Sequence, residues 1–294
     1  MRLRCLALAA SLLVVMPALG QAQSIPSAVI SDPVPDTKYP ARMEVVHIPT
    51  GGVKINGIAY VAQGPGPHPV FVFFHGLPGN EKNLDLVQSV RRAGWTAVAV
   101  NYRGSWGSPG SYRFAHNLED GQAVLAYLRD PTNAKTLGID PAKMVIAGHS
   151  MGGWVVAHTA AKDRGLLGAV MISATDIGTF GTTMPRPTLV QYMSERMESL
   201  ADVTADSMAN ELNKNSANWT FAKAAPGLTQ LAMLVLTSDD GRADQSGALA
   251  GAVQAAGGTR LTIEHVATDH SWSDHRIALQ ARIVTWLQGL VAKP

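Results

Sequence analysis

Met144-Val145-Ile146-Ala147-Gly148-His149-Ser150-Met151-Gly152-Gly153-Trp154-Val155 packs a strand, a tight turn and the start of a helix into one short stretch. Met144 to Ala147 is a continuous apolar run, and apolar residues resume at Trp154 and Val155. Between them lies a G-x-S-x-G pentapeptide, Gly148 to Gly152. Alone it is weak, because a chain with 28 glycines can meet such a pattern by chance. Its placement gives it weight. At a strand-to-helix turn a serine is held in a strained conformation with its hydroxyl out above the sheet edge, and the flanking glycines let strand and helix approach closely. Ser150 is therefore the expected nucleophile, with Gly148, His149 and Gly152 completing the elbow. A serine that merely caps a helix is the plain alternative.

Similar apolar runs lie on both sides of this stretch. They are Val70 to Phe74, Thr96 to Val100, Ala169 to Ile172, Leu231 to Leu236 and Arg260 to Val266. Amphipathic segments alternate with them, at Asn83 to Ala93, Asn117 to Arg129, Trp154 to Ala161, Ser246 to Ala256 and Asp274 to Leu290. Continuous apolar strands alternating with helices predict an α/β fold whose parallel, doubly wound sheet is buried on both faces. Upstream, Glu44 to Ile48 and Val53 to Tyr60 flank Gly51-Gly52, which predicts an antiparallel N-terminal hairpin. One connection is too long for this rhythm. More than fifty residues separate Ser173 from Leu231, with apolar residues at helical spacing (Leu189, Tyr192, Met193, Met197, Leu200). Residues 176–228 are expected to form a helical cap insertion over the ligand crevice, a side-packed insertion being the alternative.

The chain has 294 residues, and its first twenty read as a signal rather than as fold. Arg2 and Arg4 precede an apolar stretch, Cys5 to Leu19, and Ala18-Leu19-Gly20 supplies small residues for cleavage. Export to a bacterial-type periplasm or the medium is expected, with the mature chain starting near Gln21; an uncleaved anchor is the alternative. Residues 21–42, rich in Pro, Ser and Asp, read as an exposed leader, and 43–294 as the α/β domain. Cys5 is the one cysteine, so no disulfide, thiol nucleophile or cysteine-ligated metal is expected in the mature chain. Lys and Arg number 24 against 22 Asp and Glu, and loss of Arg2 and Arg4 brings the signs into balance. With no basic run, a nucleic-acid partner has no electrostatic support. Oligomeric state is not readable.

A serine hydroxyl needs a base to take its proton, and the base needs an acid to hold its tautomer. Of nine histidines, His270 follows the last strand and precedes the C-terminal helix, where the base belongs. His275 is a weaker candidate, and His265 lies inside the strand. Past the strand Leu231 to Leu236 the chain reads Asp239-Asp240-Gly241-Arg242-Ala243-Asp244. Asp240 is the preferred acid; Asp239, Asp244 (as a helix cap) and Asp176 after the preceding strand remain open. The oxyanion hole needs two backbone N–H groups. Met151 supplies one. The loop His75-Gly76-Leu77-Pro78-Gly79 supplies the other from Leu77, since Pro78 has none. His265, His270 and His275, five apart and without H-E-x-x-H, give no metal-binding pattern, and no cofactor is expected.

These stretches, with Asn101 to Gly107, Ile139-Asp140-Pro141 and Asp269-His270-Ser271, resemble the α/β-hydrolase superfamily over roughly Val53 to Leu290. They are most similar to its dienelactone-hydrolase and prolyl-oligopeptidase-related branches. The resemblance implies a serine hydrolase of the esterase and lipase kind. It departs from dienelactone hydrolases, which carry Cys at the nucleophile, and no propeller repeats accompany it as in prolyl oligopeptidases. A small-molecule ester is the leading substrate, a short peptide or amide the alternative, and a non-catalytic binding protein of the same fold the remote one. Arg103-Gly104 and Trp106 are expected to line the crevice, a structural turn being the equal alternative.

Overall fold

Both residues of Gly51-Gly52 take positive φ (52° and 81°), the region that two-residue hairpin loops require and glycine enters freely. They turn β1 (Arg42–Thr50) back on β2 (Val53–Val61), with Thr50 opposite Val53 and Arg42 opposite Val61. The computed structural model describes residues 24–292; the expected signal, 1–20, lies outside them. Within the described part, the leader is not wholly exposed. A single turn, α1 (Ser27–Ile30), buries Ala28 among side chains of the flanking helices, and Arg92 Nε donates to the Ala28 carbonyl at 2.6 Å.

The chain then alternates. β3 (His68–Phe74), α2 (Leu84–Arg92), β4 (Thr96–Val100), α3 (Phe114–Arg129), α4 (Pro131–Leu137) and β5 (Ile139–His149) lead into α5 (Met151–Ala160) and β6 (Gly168–Ile172). The insertion follows as α6 (Ile177–Thr183), α7 (Arg186–Ser194), α8 (Ala205–Trp219) and α9 (Phe221–Ala224). β7 (Ala232–Ser238), α10 (Ala243–Ala255), β8 (Leu261–Val266) and α11 (Arg276–Val291) complete the chain. The eight strands form one sheet in the order β1-β2-β4-β3-β5-β6-β7-β8. β1, β2 and β4 pair antiparallel, and every pair from β4 onward is parallel.

Side-chain alternation explains why the central strands are apolar throughout. Val70, Val72 and Phe74 join Met144 and Ile146 in the core of one face, while Phe71 and Phe73 join Val145 and Ala147 in that of the other. α2 and α11 cover the second face; α3, α5 and the insertion cover the first. Several boundaries differ from expectation for identifiable reasons. α3 begins at Phe114 rather than Asn117, because the Glu211 carboxylate of α8 accepts from the Phe114 and Ala115 N–H groups (3.0 and 2.9 Å). β5 begins at Ile139, which pairs with His68 across a register shift. α10 begins at Ala243, so Arg242 holds the N-cap position; Asp244 sits exposed in the first turn and does not cap the helix.

The insertion is fastened to the domain. Leu189, Met193, Met208 and Leu212 are buried in the same core as Met151 and Trp154, and Trp154 Nε1 donates to the Trp219 carbonyl at 2.7 Å. Its stretch Glu198 to Ala201 runs along the loop after β4: Ser105 bridges Leu200, and Ala201 N donates to Gly104 O at 2.8 Å. No helix among the described residues is long and apolar enough to cross a membrane.

Candidate active site

The turn at Ser150 is dictated by sterics. A Cβ on Gly148 would stand 2.2 Å from Gly152 O, one on Gly152 2.0 Å from Phe74 O, and one on Gly153 2.4 Å from Ala174 Cβ. No side chain fits at any of the three. Ser150 adopts φ 57° and ψ −122°, a conformation that costs a non-glycine residue roughly 1–3 kcal/mol. It stands at the N-cap of α5, yet its hydroxyl makes no capping bond. The hydroxyl instead lies 3.4 Å from Thr175 Oγ1, a buried group that sequence reading did not single out. No hydrogen bond joins Ser150 Oγ to the His270 ring in this state, a bond that commonly tightens only with substrate bound.

His270 lies in the loop between β8 and α11, with its Nδ1 2.6 Å from Asp240 Oδ2. A carboxylate can only accept, so Nδ1 carries the proton and Nε2 is left free to take one. The Asp240 side chain is 2% exposed. Burial alone would raise its pKa, but the His270 hydrogen bond, the Arg242 N–H (2.9 Å to Oδ1) and the Arg242 charge outweigh it and hold the carboxyl below its ordinary value. The other candidates go elsewhere. Asp239 accepts from His265 Nε2 at 2.9 Å on the surface. Asp176 is buried at the start of α6 and accepts from Phe221 N at 2.9 Å. His275 holds the N-cap position of α11 beside Asp274.

His149, the middle residue between Gly148 and Ser150, reaches toward the same histidine. Its Nε2 donates to the His270 carbonyl at 2.8 Å, and the two rings lie 4.7 Å apart. Burial, and then the nearby His270 charge, push its pKa down to about 3, which keeps it neutral. The pentapeptide marked this residue only as part of the elbow.

Of the two expected oxyanion donors, Leu77 lines the cleft that Ser150 lines, and Met151 follows Ser150 as the first residue of α5. Neither Leu77 N–H nor Met151 N–H has an intramolecular acceptor among the described residues, whereas a Cβ on Gly76 would come within 3.0 Å of Ser150 Cβ. Ser150, His149 and His270 line one small cleft of about 150 Å³ together with Gly76 to Glu81 and Ser271. Arg103 is not in it. Its buried guanidinium pairs with the fully buried Asp120 (2.7 Å) and with Glu119, which makes it a structural tie between the loop after β4 and α3. Trp106, also expected at the crevice, does not line this cleft either; it sits against the loop Gly76 to Gly79, its Nε1 donating to Pro78 O at 2.7 Å. Among the described residues no cluster of three or more His, Cys, Asp or Glu side chains is placed to hold a metal ion.

A family model described as an alpha/beta hydrolase family matches residues 71–283. In fold the chain is similar to a hyperthermophilic esterase from the archaeon Pyrobaculum calidifontis, with a TM-score of 0.65 and 20% identity over 86% of this chain and 88% of that one. A fungal esterase from Rhizomucor miehei gives a TM-score of 0.66 and 21% identity over 90% and 86% of the two chains. An acylaminoacyl peptidase from Pyrococcus horikoshii gives 0.64 and 17% over 84% of this chain but 41% of that longer one.

Proposed function

The chain belongs to the alpha/beta hydrolase family, and from that premise we propose that it hydrolyses carboxylic esters through an acyl-enzyme on Ser150. The observation that carries this reading is the buried Asp240–His270 hydrogen bond, which leaves His270 Nε2 as the free base on the cleft that Ser150 also lines. His270 takes the Ser150 proton as Oγ attacks the ester carbonyl, and Asp240 stabilises the imidazolium that forms. The carbonyl oxygen becomes negative and is met by the Leu77 and Met151 N–H groups. Collapse expels the alcohol, to which His270 returns the proton. Water then attacks the acyl-enzyme with His270 again as base, releasing the acid and Ser150.

The same machinery can cleave an amide, and the likeness in fold to an acylaminoacyl peptidase gives that second reading its support. Matched ester and amide substrates separate the two. The basic and apolar start of the chain supports export to the periplasm or medium, and residues 176–228 act as the cap in this reading. The decisive test is Ser150→Ala in purified protein against p-nitrophenyl acetate. Loss of a triad nucleophile is expected to lower kcat by about 10⁶-fold, effectively to background. Turnover that survives the substitution overturns the proposal.

A further inference from the structure

We propose that Trp106 is a positioning residue of the oxyanion hole, setting the Leu77 N–H by holding the Pro78 carbonyl; the inference rests on the hydrolase reading above. Leu77 lies in the loop His75 to Gly79, where three of the five carbonyls accept hydrogen bonds, two of them from outside the loop. Tyr102 Oη donates to His75 O at 3.1 Å, and His75 Nδ1 donates to Gly76 O at 2.8 Å. On the far side of Leu77, Pro78 O accepts from Trp106 Nε1 at 2.7 Å and from Ser199 Oγ at 3.1 Å. The Leu77 peptide is thus suspended between fixed neighbours, with its own N–H unpaired. Donors fixed before the reaction are what make an oxyanion hole effective, since no reorganisation is needed as charge develops.

Trp106 stands apart among these tethers. It adopts φ 51°, a conformation that is a genuine outlier for a bulky side chain. It is also 37% exposed, so burial of the indole does not account for that conformation. The backbone there is held by Trp106 N donating to Ser199 O at 3.0 Å, and the ring by the Lys82 ammonium 4.3 Å from its centre. The outcome of this local strain is an indole N–H aimed at Pro78 O. Gly79 accommodates the arrangement, because a Cβ there would stand 2.8 Å from Trp106 Nε1 and 2.4 Å from His75 Nδ1. Ser199 belongs to the insertion, and Asn80 Nδ2 donates to Glu198 Oε1 beside it at 3.0 Å. The oxyanion loop and the insertion are therefore pinned together at the Pro78 carbonyl and again at Asn80.

Trp106→Phe tests this, because it keeps an aromatic ring at the same strained φ and removes the N–H donor. With p-nitrophenyl acetate, kcat is expected to fall on the order of ten-fold with KM within about twofold, a smaller loss than the 10²–10³ that follows removal of an oxyanion donor itself. A trifluoromethyl ketone provides the second readout. Ser150 Oγ adds to its carbonyl, the serine proton passes to His270, and the oxygen becomes the oxyanion. Its affinity is expected to fall in proportion to kcat/KM, while the corresponding trifluoromethyl carbinol, which serine cannot attack and which makes no oxyanion, binds as before. Ser199→Ala, at a residue without positive φ, is expected to show the same pattern at about threefold, and Ser199→Thr to restore it. This second pair decides the matter if Trp106→Phe fails to fold. The proposal is overturned if kcat of these variants stays within twofold of the parent, or if ketone and carbinol weaken together. Failure of the underlying hydrolase reading shows separately, as activity that persists in Ser150→Ala.

Discussion

Asp239 and Asp240 are neighbours in sequence, and each meets a histidine, at 2.9 Å to His265 and 2.6 Å to His270. In the outer pair the side chains are 62% and 50% exposed; in the inner pair they are 2% (Asp240) and 32% (His270). The chain separates them at the end of β7. Asp239 N still donates to Thr268 O at 3.0 Å, in line with the strand, while Gly241 at φ 73° turns the chain so that Asp240 faces inward. An exposed pair is screened by water and contributes roughly 0–1 kcal/mol. Behind the His270 ring, where water is excluded, the same two groups fix a tautomer. Residue type and distance are nearly equal in the two pairs, and burial makes the difference.

Exchanging one oxygen for an amide should expose that difference most strongly. Asp240→Asn can donate to His270 Nδ1, which moves the ring proton to Nε2 and removes the base. An expected fall in kcat of about 10³–10⁴ follows, by analogy with loss of the triad carboxylate in serine proteases. Asp239→Asn should leave kcat within about twofold and stability within about 0.5 kcal/mol, as for an exposed substitution. Steady-state assays of the two variants side by side decide the point. A large loss in the Asp239 variant would mean that the outer pair, not the inner one, serves the site.

What could be read before the structure follows the same division between local and long-range effects. The elbow, the hairpin and the central strands announce themselves because glycine sterics and continuous apolar runs act over a few residues. The acid does not, because Asp239, Asp240 and Asp244 differ only in the direction each side chain takes around the turn at Gly241. Arg103 was expected at the crevice or in a turn and proves to be a buried partner of Asp120, seventeen positions away on α3. The start of α3 depends on Glu211, almost a hundred residues further on. Side-chain direction at a loop and pairing across the fold leave no periodic signature.

Buried histidines carry the comparison into stability. His75 and His149 flank the site, and burial lowers them to about 4 and about 3. Both are neutral in the folded protein at a pH where the unfolded chain, with its ordinary value near 6.5, begins to bind protons. Between about pH 6.5 and 4 the unfolded state therefore holds more protons, and stability falls as pH falls; above 6.5 neither histidine contributes. Each can add up to roughly 1.4 kcal/mol of loss per pH unit. Denaturant melts of His149→Gln should show a shallower decline between pH 6.5 and 4.5, by about 2 kcal/mol in all. Parallel curves for His149→Gln and the parent would show that its burial does not govern its protonation.

Asp176 isolates burial from partnership, because it is as buried as Asp240 but has no cation bonded to it. One of its oxygens, Oδ1, has no hydrogen-bond partner, and burial, opposed by the Phe221 N–H, raises its pKa to about 6. The sign is opposite to that of the histidines. Above pH 6 the folded protein bears the full cost of a buried charge; between 6 and about 3.8 the folded state holds the extra proton and the cost fades; below 3.8 it is gone. A shift of about two units sets a ceiling near 3 kcal/mol, and the amide of Asp176→Asn must itself be buried without a sure partner at roughly 1–3 kcal/mol. The net expectation is a variant about 1 kcal/mol more stable at pH 7.5, its advantage gone by pH 4, measured by denaturant melts at both. Its kcat should change little, since Asp176 does not reach His270. If the variant were instead less stable at pH 7.5, Asp176 would have a partner that compensates its charge, and burial would no longer be what separates it from Asp240.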